Sequence, residues 1–352
     1  MNIGIFTLHR ALNYGAVWQT YALKTSCEKL GHNVEVIDYN PFGHYTYKGF
    51  LKHRPDKALA YVRNFRFFNQ FVDKYLNPTE HTESHEWISN NPPKDDVYIV
   101  GSDTVWCPDV VGKLINSYLM DFTPENVKRI SYAASFGGIF PNEDLIDYYR
   151  NELPKFNAIS IREPQYIKET SELAGKEVVD VCDPSLLLTK DEYISLEKKK
   201  HRPKKYIVVF DLAGSEFVKE SALKIKKELN LPIVNLTGKM CSWADVNYFG
   251  LRAQEWIYLM HNAEFVCTNS FHGTAFSIIF EKPFYCCCVQ HGGRSKTNGR
   301  VENLLNQVSL MDRYINNVSE ITSYNVDYDA VRSNITNYRE RSFNWLKKAL
   351  DS

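Results

Sequence analysis

The sequence predicts an α/β protein made of two Rossmann-like domains, and three observations support this. Apolar runs of strand length alternate with runs of helical periodicity, in one series before the charged segment 189–205 and in a second series after it. Small and polar residues follow many of the predicted strands, as they do at the carboxyl edge of a parallel sheet. The chain has 352 residues, of which 44% are hydrophobic, and this is enough for two domains that each bury a core.

The first domain is expected to span residues 1–188. Residues 2–7 have the pattern of a buried strand, 16–30 that of a helix closed by Gly31, and 33–38 that of a second strand. Such a βαβ beginning predicts a parallel sheet with right-handed crossovers. Further strands are predicted at 97–100, 130–134, 158–161 and 178–182.

Residues 41–95 interrupt this alternation with an aromatic and locally basic segment, in which 59–75 has the pattern of an amphipathic helix. Two interpretations stay open. Either the helix is a solvated insertion, or the segment is a rim that meets an acidic lipid surface or a lipid-diphosphate acceptor. The second interpretation predicts peripheral contact with the inner face of a membrane.

The second domain is expected at residues 206–327, after a charged linker at 189–205. A final helix within 328–352 has the length to return to the first domain. Strands of the second domain are predicted at 206–211, 233–236, 263–267 and 284–289, and helices at 215–229, 253–262 and 272–281.

Composition and charge exclude several classes of protein. The 42 basic and 42 acidic side chains give zero net charge, which argues against a nucleic-acid-binding protein. Met1 leads directly into an apolar strand without the basic region of a signal peptide, and no apolar run reaches the roughly 20 residues of a membrane span. The eight cysteines have no metal-type spacing and are interpreted as reduced thiols of a cytoplasmic protein. No metal or other cofactor is expected, and the sequence leaves the oligomeric state open.

The leading candidate site is the strand-to-helix turn Ser270-Phe271-His272-Gly273. An anion is favoured at such a turn because the free N–H groups and the dipole of the helix point towards it. His272 can supply a proton near neutral pH or bind a phosphate, and Gly273 lets a ligand approach the backbone. The alternative for His272 is a capping or packed imidazole.

Polar residues also follow strands of the first domain. Asp103 comes after the strand 97–100 and is either a base or a cap for the next turn, and Arg162 comes after 158–161. If the two domains oppose each other, the first loop faces the same cleft as His272. Four residues of this loop and the helix after it are candidates: Asn13, Tyr14, Gly15 and Gln19.

The segment 291–300 is rich in glycine, which argues against a helix, and it carries Arg294, Lys296 and Arg300. It is either an exposed loop or a lid that brings one of these cations onto an anion. Arg300 is the better candidate, because the residues after it have a helical pattern that would hold it in place.

A resemblance to a known family is carried by six motifs in order: NYGAVWQTYAL, VGSDTVW, SYAASFG, ISIRE, VCDPSLLL and TNSFHGTAFSIIFEKPF. Over residues 2–305 the chain resembles the polysaccharide pyruvyl transferase family. The resemblance implies a GT-B-like fold, in which two Rossmann-like domains face each other across a cleft and the C-terminal helix returns to the first domain. It also implies phosphoenolpyruvate as the donor and a saccharide or lipid-linked oligosaccharide as the acceptor of a pyruvate ketal.

The resemblance also implies roles for the candidate residues. In the better-known relatives the turn reads Arg-aromatic-His-Gly, so His272 matches, whereas Ser270 stands where those relatives have arginine. His272 and Asp103 are then the catalytic residues. The expected donor-binding residues are Arg162, Ser270, Gly273, Arg294 and Arg300, and either Arg294 or Arg300 replaces the missing arginine. The expected acceptor-binding residues are Asn13, Tyr14, Gly15 and Gln19.

Ketal formation from an enol phosphate sets three chemical requirements. A general acid protonates the C3 methylene, a base deprotonates the sugar hydroxyl, and donors stabilise about three negative charges. Two other functions remain as alternatives. A nucleotide-sugar glycosyltransferase needs an acid that holds the ribose, for which Glu281 is the nearby candidate, and a non-catalytic sugar-binding relative would explain the loss of the arginine.

Overall fold

A computed structural model describes residues 1–41, 55–289 and 298–352. The described residues form two compact units. Unit 1 consists of the described residues within Met1–Lys52, Phe68–Leu187 and Asn337–Ser352. Unit 2 consists of those within His53–Phe67 and Leu188–Thr336. Each unit contains a parallel sheet with helices.

The sheet of unit 1 has six strands in the order β2-β1-β3-β4-β5-β6, and every described pairing between neighbours is parallel. All six strands were predicted from the sequence, although β2 and β6 end two residues earlier than their apolar patterns suggest. The strands are β1 Asn2–Phe6, β2 Asn33–Val36, β3 Val97–Val100, β4 Lys128–Ala134, β5 Ala158–Ile161 and β6 Val178–Asp180.

The first helix of unit 1 starts earlier than predicted. It begins at Tyr14, because the side chain of Asn13 caps it by accepting a hydrogen bond from the Gly15 N–H at 2.8 Å. The predicted start at residue 16 was therefore two residues too late. The helices up to β6 are α1 Tyr14–Lys29, α2 Pro55–Tyr75, α3 His85–Asn90, α4 Pro108–Val111, α5 Ile115–Tyr118, α6 Glu143–Glu152 and α7 Ile167–Ala174.

The amphipathic helix predicted within 41–95 is present as α2. Residues 55–67 of this helix belong to unit 2 and residues 68–75 to unit 1. In unit 1 its apolar face packs on α1, where Phe71 contacts Trp18 with ring centroids 4.9 Å apart. In unit 2 the Arg252 guanidinium lies 3.9 Å from the centre of the Phe67 ring. The part of the helix in each unit therefore has an aromatic side chain in contact with that unit.

The sheet of unit 2 also has six strands, in the order β12-β11-β10-β7-β8-β9, with parallel pairing throughout. The four central strands were predicted. The edge strands β9 and β12 have two residues each, which is too short for a recognisable alternation in the sequence. The strands are β7 Ile207–Phe210, β8 Ile233–Asn235, β9 Val246–Asn247, β10 Phe265–Thr268, β11 Phe284–Cys287 and β12 Tyr314–Ile315.

Two helices of unit 2 correct the sequence analysis. A short helix lies within the predicted linker, because Thr189 and Glu192 form a capping box. Another helix begins at Asn298, so Arg300 lies in a helix rather than in the glycine-rich loop. The remaining helices are α8 Lys190–Ile194, α9 Glu216–Leu229, α10 Ala253–His261, α11 Phe271–Ile279, α12 Asn298–Gln307 and α13 Tyr328–Asp351.

The C-terminal helix returns to the first domain, as predicted. The residues of α13 up to Thr336 belong to unit 2, and those from Asn337 onwards belong to unit 1. In unit 1 the Ser342 hydroxyl accepts a hydrogen bond of 2.8 Å from the Cys182 N–H, and the Trp345 ring packs on Tyr132. Among the described helices, none combines the length and the apolar content that crossing a bilayer requires.

Candidate active site

A cavity of about 450 Å³ lies at the carboxyl edge of the sheet in unit 1. It is formed by segments that follow β1, β2 and β3, where the strand order reverses between β1 and β3. Open parallel sheets bind their ligands at this kind of switch point. The lining residues are Leu8, Arg10, Ala11, Leu12, Asn13, Tyr39, Asn40, Asp103, Thr104, Val110 and Tyr118.

One wall of the cavity is fixed by an ion pair between Arg10 and Asp38. The Arg10 Nε donates to Asp38 Oδ1 at 2.9 Å, and its NH2 group donates to Asp38 Oδ2. Burial raises the pKa of Asp38, but the donors on Arg10 and His9 outweigh burial and hold this pKa well below its usual range. Asp38 is therefore a carboxylate that orients Arg10 at the cavity.

Asp103 lines this cavity and caps its own turn, which is one of the two roles considered from the sequence, and its role as a base stays a prediction. Its Oδ1 accepts a hydrogen bond of 2.8 Å from the Thr104 N–H. Its backbone is left-handed, with φ of 68°, a conformation that aspartate tolerates better than most residues. The Arg162 NH2 group lies 3.7 Å from Asp103 Oδ1. The structure thus brings together two predicted site residues from different strands.

Arg162 is buried and also contacts a second carboxylate. Its NH1 group donates to Asp183 Oδ2 at 2.5 Å, and the side chain of Asp183 has no exposed surface. Asp183 accepts further hydrogen bonds from the Ser185 N–H at 2.9 Å and the Ser102 hydroxyl at 3.2 Å. The sequence analysis did not assign Asp183 to the site, although its place directly after a strand was the available signal.

The four residues expected to bind an acceptor have different environments. Asn13 lines the cavity, whereas Tyr14 packs on Phe68 with ring centroids 5.1 Å apart, and the Gly15 N–H is bonded to Asn13. Gln19 is buried, and its Oε1 accepts a hydrogen bond of 3.1 Å from the Ser102 N–H. Gln19 therefore positions the backbone next to Asp103.

Other cavity residues were missed. Arg10, Tyr39, Asn40 and Tyr118 line the cavity and were not among the predicted site residues, although Arg10 lies in the loop after β1 that supplied Asn13. Tyr39 and Asn40 had a usable signal, because they follow the second strand and so come to the same edge of the sheet.

In unit 2, the loops after β7 and β10 are joined at the switch point of the sheet. The Asn269 amide donates to Asp211 Oδ1 at 2.6 Å, and Asn269 Oδ1 accepts from the Leu212 N–H at 3.1 Å. Asp211 Oδ2 accepts a hydrogen bond of 2.7 Å from the Ser215 N–H. These contacts fix the backbone immediately before the predicted turn.

The predicted strand-to-helix turn is present at the start of α11. Ser270 is its N-cap, and the Ser270 hydroxyl accepts from the Gly273 N–H at 3.4 Å. His272 is the second residue of the helix, is 7% exposed, and has its ring perpendicular to the Phe271 ring. The imidazole thus lies in the first turn of a helix, where the dipole favours an anion.

Gly273 is needed for packing, which differs from the reason given by the sequence analysis. A Cβ atom at Gly273 would lie 2.3 Å from Thr268 Oγ1 and 3.2 Å from Phe210 Cδ1. The missing side chain therefore lets α11 pack closely on β10 and β7, and the space beside it is filled by protein atoms.

Replacing Gly273 with alanine is expected to destabilise the protein by about 1–3 kcal/mol, because the added methyl group overpacks this contact. This cost should exceed the gain of about 1 kcal/mol from the better helix propensity of alanine. Urea unfolding of Gly273→Ala, Thr268→Ala and the double variant will measure the coupling. If the changes in the free energy of unfolding of the two single variants simply add in the double variant, the predicted clash is contradicted.

Arg300 lies on the helix that follows β11, the strand beside β10. The Asn298 side chain holds the start of this helix, because it accepts from the Val289 N–H at 3.0 Å and donates to the Val289 carbonyl at 3.1 Å. Helix α12 also packs on α11. Arg300 and His272 therefore belong to neighbouring elements at one sheet edge. Arg294 lies outside the described residues.

The part of the chain that the structure describes contains no group of three or more His, Cys, Asp or Glu side chains arranged to hold a metal ion. The charged and polar groups at the two switch points are instead suited to hydrogen bonding, proton transfer and the binding of an anion.

Solved structures with the same fold cover almost the whole chain. UDP-GlcNAc 2-epimerase from Methanocaldococcus jannaschii is 12% identical, with a TM-score of 0.51 over 98% of this chain and 93% of that chain. MnaA from S. aureus, solved with UDP, is 13% identical, with a TM-score of 0.50 over 98% of this chain and 90% of that chain. These similarities confirm the predicted GT-B-like α/β fold class. No curated protein matches the chain significantly.

The family model for polysaccharide pyruvyl transferases matches residues 13–289. This range contains most of the cavity of unit 1 and the whole strand-to-helix turn of unit 2. The chain therefore belongs to the polysaccharide pyruvyl transferase family, a family of transferases.

Proposed function

We propose that the protein transfers a pyruvyl group from phosphoenolpyruvate to hydroxyl groups of a saccharide, forming a pyruvate ketal on a surface polysaccharide or on its lipid-linked precursor. The observation that carries the proposal is the family match from residue 13 to residue 289, which includes most of the cavity residues at the switch point of unit 1 and the turn at that of unit 2. The chemistry of the residues at these points agrees with it.

The donor is assigned to the start of α11. The first-turn N–H groups and the dipole of this helix favour the phosphate, and we assign to His272 the protonation of the C3 methylene or the binding of the leaving phosphate. Ser270 supplies a neutral cap where better-known relatives have arginine. We assign the additional positive charge to Arg300 on the adjacent helix, because a charged donor to an anion is stronger than a neutral one.

The acceptor is assigned to the cavity of unit 1. Its size of about 450 Å³ and its mixture of amides, hydroxyls and a carboxylate suit a saccharide. Asp103 is the proposed base for an acceptor hydroxyl, with the Arg162 cation 3.7 Å away. The expectation that Arg162 holds the donor carboxylate remains a prediction, and its NH1 group is already bonded to Asp183.

Glu281, the candidate ribose ligand of a glycosyltransferase, is placed unfavourably for that role. It lies beyond the carboxyl end of α11, whereas ligands are expected at the other end of the helix. Its Oε1 accepts from the Arg332 NH2 group at 2.9 Å, and its Oε2 lies 3.4 Å from Lys190 Nζ. The carboxylate is therefore held by α13 and α8, which favours the pyruvyl transferase proposal.

The reaction is assigned to the cytoplasm, with peripheral contact at the inner face of the membrane for a lipid-linked acceptor. All eight cysteines are free, and seven of them are buried, which is the usual state of thiols in a reducing compartment.

Phosphoenolpyruvate is expected to raise the melting temperature more than any nucleotide sugar does, since a ligand that binds the native state stabilises it by mass action. The shift should decrease in Arg300→Gln and His272→Gln. Incubation with phosphoenolpyruvate and lipid-linked galactosides, followed by mass spectrometry, should show a product heavier by pyruvate less one water. A larger thermal shift with a nucleotide sugar, and transfer of its sugar, would instead identify a glycosyltransferase.

A further inference from the structure

A row of hydrogen-bonding side chains leads from the cavity of unit 1 to an exposed histidine. Tyr39 lines the cavity, and its hydroxyl lies 3.1 Å from Ser117 Oγ. Ser117 Oγ lies 2.8 Å from His85 Nδ1, and His85 Nε2 lies 3.4 Å from Asp121 Oδ2. Ser117 is buried, whereas 39% of the His85 side chain and 25% of the Asp121 side chain are exposed. The row therefore connects the cavity with solvent.

The fold holds each member of this row in place. The Tyr39 ring stacks on Phe6 with centroids 5.4 Å apart, and Tyr39 forms a β-bridge with Thr82. The chain then reaches Ser84, the N-cap of α3, so that His85 is the first residue of this helix. Ser117 comes from α5. The segment after β2, helix α3 and helix α5 thus bring together Tyr39, His85 and Ser117.

The polarity of the hydrogen bonds permits proton transfer along the row. When His85 is neutral, the Asp121 carboxylate favours a proton on Nε2, so that Nδ1 accepts from the Ser117 hydroxyl. Ser117 then accepts from the Tyr39 hydroxyl. When His85 carries a second proton, Nδ1 becomes a donor and both hydroxyl bonds reverse, after which Tyr39 donates into the cavity.

We propose that Tyr39, Ser117 and His85 form a relay that takes the proton of an acceptor hydroxyl from the cavity to solvent. The inference rests on the proposed function and extends it. Tyr39 is then a catalytic residue that touches the acceptor, while Ser117, His85 and Asp121 are positioning residues that act through it.

Ketal formation creates the need for such a relay, because it uses two acceptor hydroxyls. Each hydroxyl loses its proton as its oxygen bonds to C2 of the donor, and the C2–O bond to phosphate breaks. One proton is balanced by the new C–H bond at C3, and the other by protonation of the released phosphate. Asp103 can serve one hydroxyl, and the relay serves the other. No oxidant, reductant or further reactant is consumed.

Tyr39 passes a proton on without becoming a stable anion. Burial raises the pKa of Tyr39, the bond to Ser117 opposes this rise, and the nearby Asp121 adds to it. A phenolate is therefore disfavoured in the cavity. The phenol instead accepts the proton of the sugar hydroxyl as it donates its own to Ser117, and the charge accumulates on His85 beside Asp121.

Three charged groups surround the outer end of the row: Asp121, Arg129 and Glu152. Burial raises the pKa of Asp121, His85 and Arg129 lower it, and Glu152 raises it further. Arg129 and Glu152 are paired at 3.0 Å, so their charges largely cancel. Asp121 is thus the main charge that faces the imidazole. A proton that reaches His85 Nδ1 is therefore stabilised by a neighbouring carboxylate.

Steady-state kinetics across pH with phosphoenolpyruvate and a saturating acceptor tests the relay. We expect Tyr39→Phe and Ser117→Ala to lower kcat by about 100-fold or more with little change in the KM for phosphoenolpyruvate. His85→Ala should also be slow, and added imidazole should restore part of its rate, because that side chain is exposed. Tyr149→Phe is the matched control, since it removes another buried hydroxyl of unit 1 and should keep the wild-type rate.

The outcomes separate the relay from the proposed function. Wild-type kcat and an unchanged pH profile in Tyr39→Phe and Ser117→Ala would overturn the relay and leave pyruvyl transfer intact. Absence of ketal formation by the wild-type protein with every acceptor would overturn both proposals. In that case, ¹⁵N NMR of the His85 ring still tests the relay, because an Nδ1–H tautomer at neutral pH would show that Nδ1 cannot accept a proton from Ser117 and would overturn the relay.

Discussion

Replacing Arg162 with methionine is expected to lower the free energy of unfolding by about 3–5 kcal/mol, because it leaves the buried carboxylate of Asp183 without its cation. Asp183 retains the hydrogen bonds from Ser185 and Ser102, but neutral donors do not replace the charge. Urea unfolding followed by circular dichroism measures this change. The exposed surface of Arg162 is small enough that screening by water or salt should have little effect.

Two further variants identify the cause of the destabilisation. The double variant Arg162→Met with Asp183→Asn should recover most of the lost stability, because it removes both charges and keeps an oxygen that can accept from Ser185. Arg162→Lys should recover only part, since an ammonium group cannot reach Asp183 and Asp103 with the planar geometry of a guanidinium. If Arg162→Met unfolds at the wild-type urea concentration, the ion pair does not stabilise the fold.

The helices and strands that could be predicted from the sequence are those determined by residues close to one another in the chain. The buried strand β3 and the cap at Ser270 have signals within a few adjacent residues, and the structure has both. The start of α12 was missed because Asn298 stabilises it through the distant backbone of Val289. A contact with a residue nine positions earlier leaves no periodic signal in the helix itself.

The sequence predicted individual site residues at the ends of strands, but not which of these residues contact each other. Asp103 and Arg162 were each noted from their positions after strands, but their separation of 3.7 Å depends on the order of strands in the sheet. The interaction of Arg162 with Asp183 depends on the same order. Gly273 is a different case: its packing role was not predicted, because a glycine in the sequence does not reveal which atoms fill the space beside it.

The last prediction concerns Asp95, whose carboxyl group lies at the amino edge of the sheet of unit 1, opposite the edge with the cavity. The Asp95 side chain lies over Gly4, where a Cβ atom would come within 2.4 Å of Asp95 Oδ2. Glu35 is the residue of β2 that pairs with Gly4, and Asp96 follows directly in the chain. Burial, together with the charges of Glu35 and Asp96, raises the pKa of Asp95 to about 7.

The sign of the effect follows from this raised pKa. A carboxyl group with a pKa of 3.8 in the unfolded chain and about 7 in the folded protein binds protons more tightly when folded. Its contribution to stability is complete below the unfolded value and is lost as pH rises through about 7. A difference of about three units corresponds to roughly 4 kcal/mol. The titration of Asp95 should therefore make the protein less stable at pH 8 than at pH 5.

Replacing Asp95 with asparagine is expected to raise the free energy of unfolding at about pH 8 by roughly 2–4 kcal/mol and to flatten its dependence on pH. The asparagine amide has nearly the same shape, carries no charge, and can donate to the Glu35 carboxylate that repels the native side chain. Urea unfolding at several pH values measures the effect, with Asp109→Asn as the control because Asp109 is exposed and is not among the groups that shift the pKa of Asp95. The control should change stability only slightly. An Asp95→Asn variant whose stability rises and falls with pH as the wild type does would show that the Asp95 carboxyl does not titrate near neutrality.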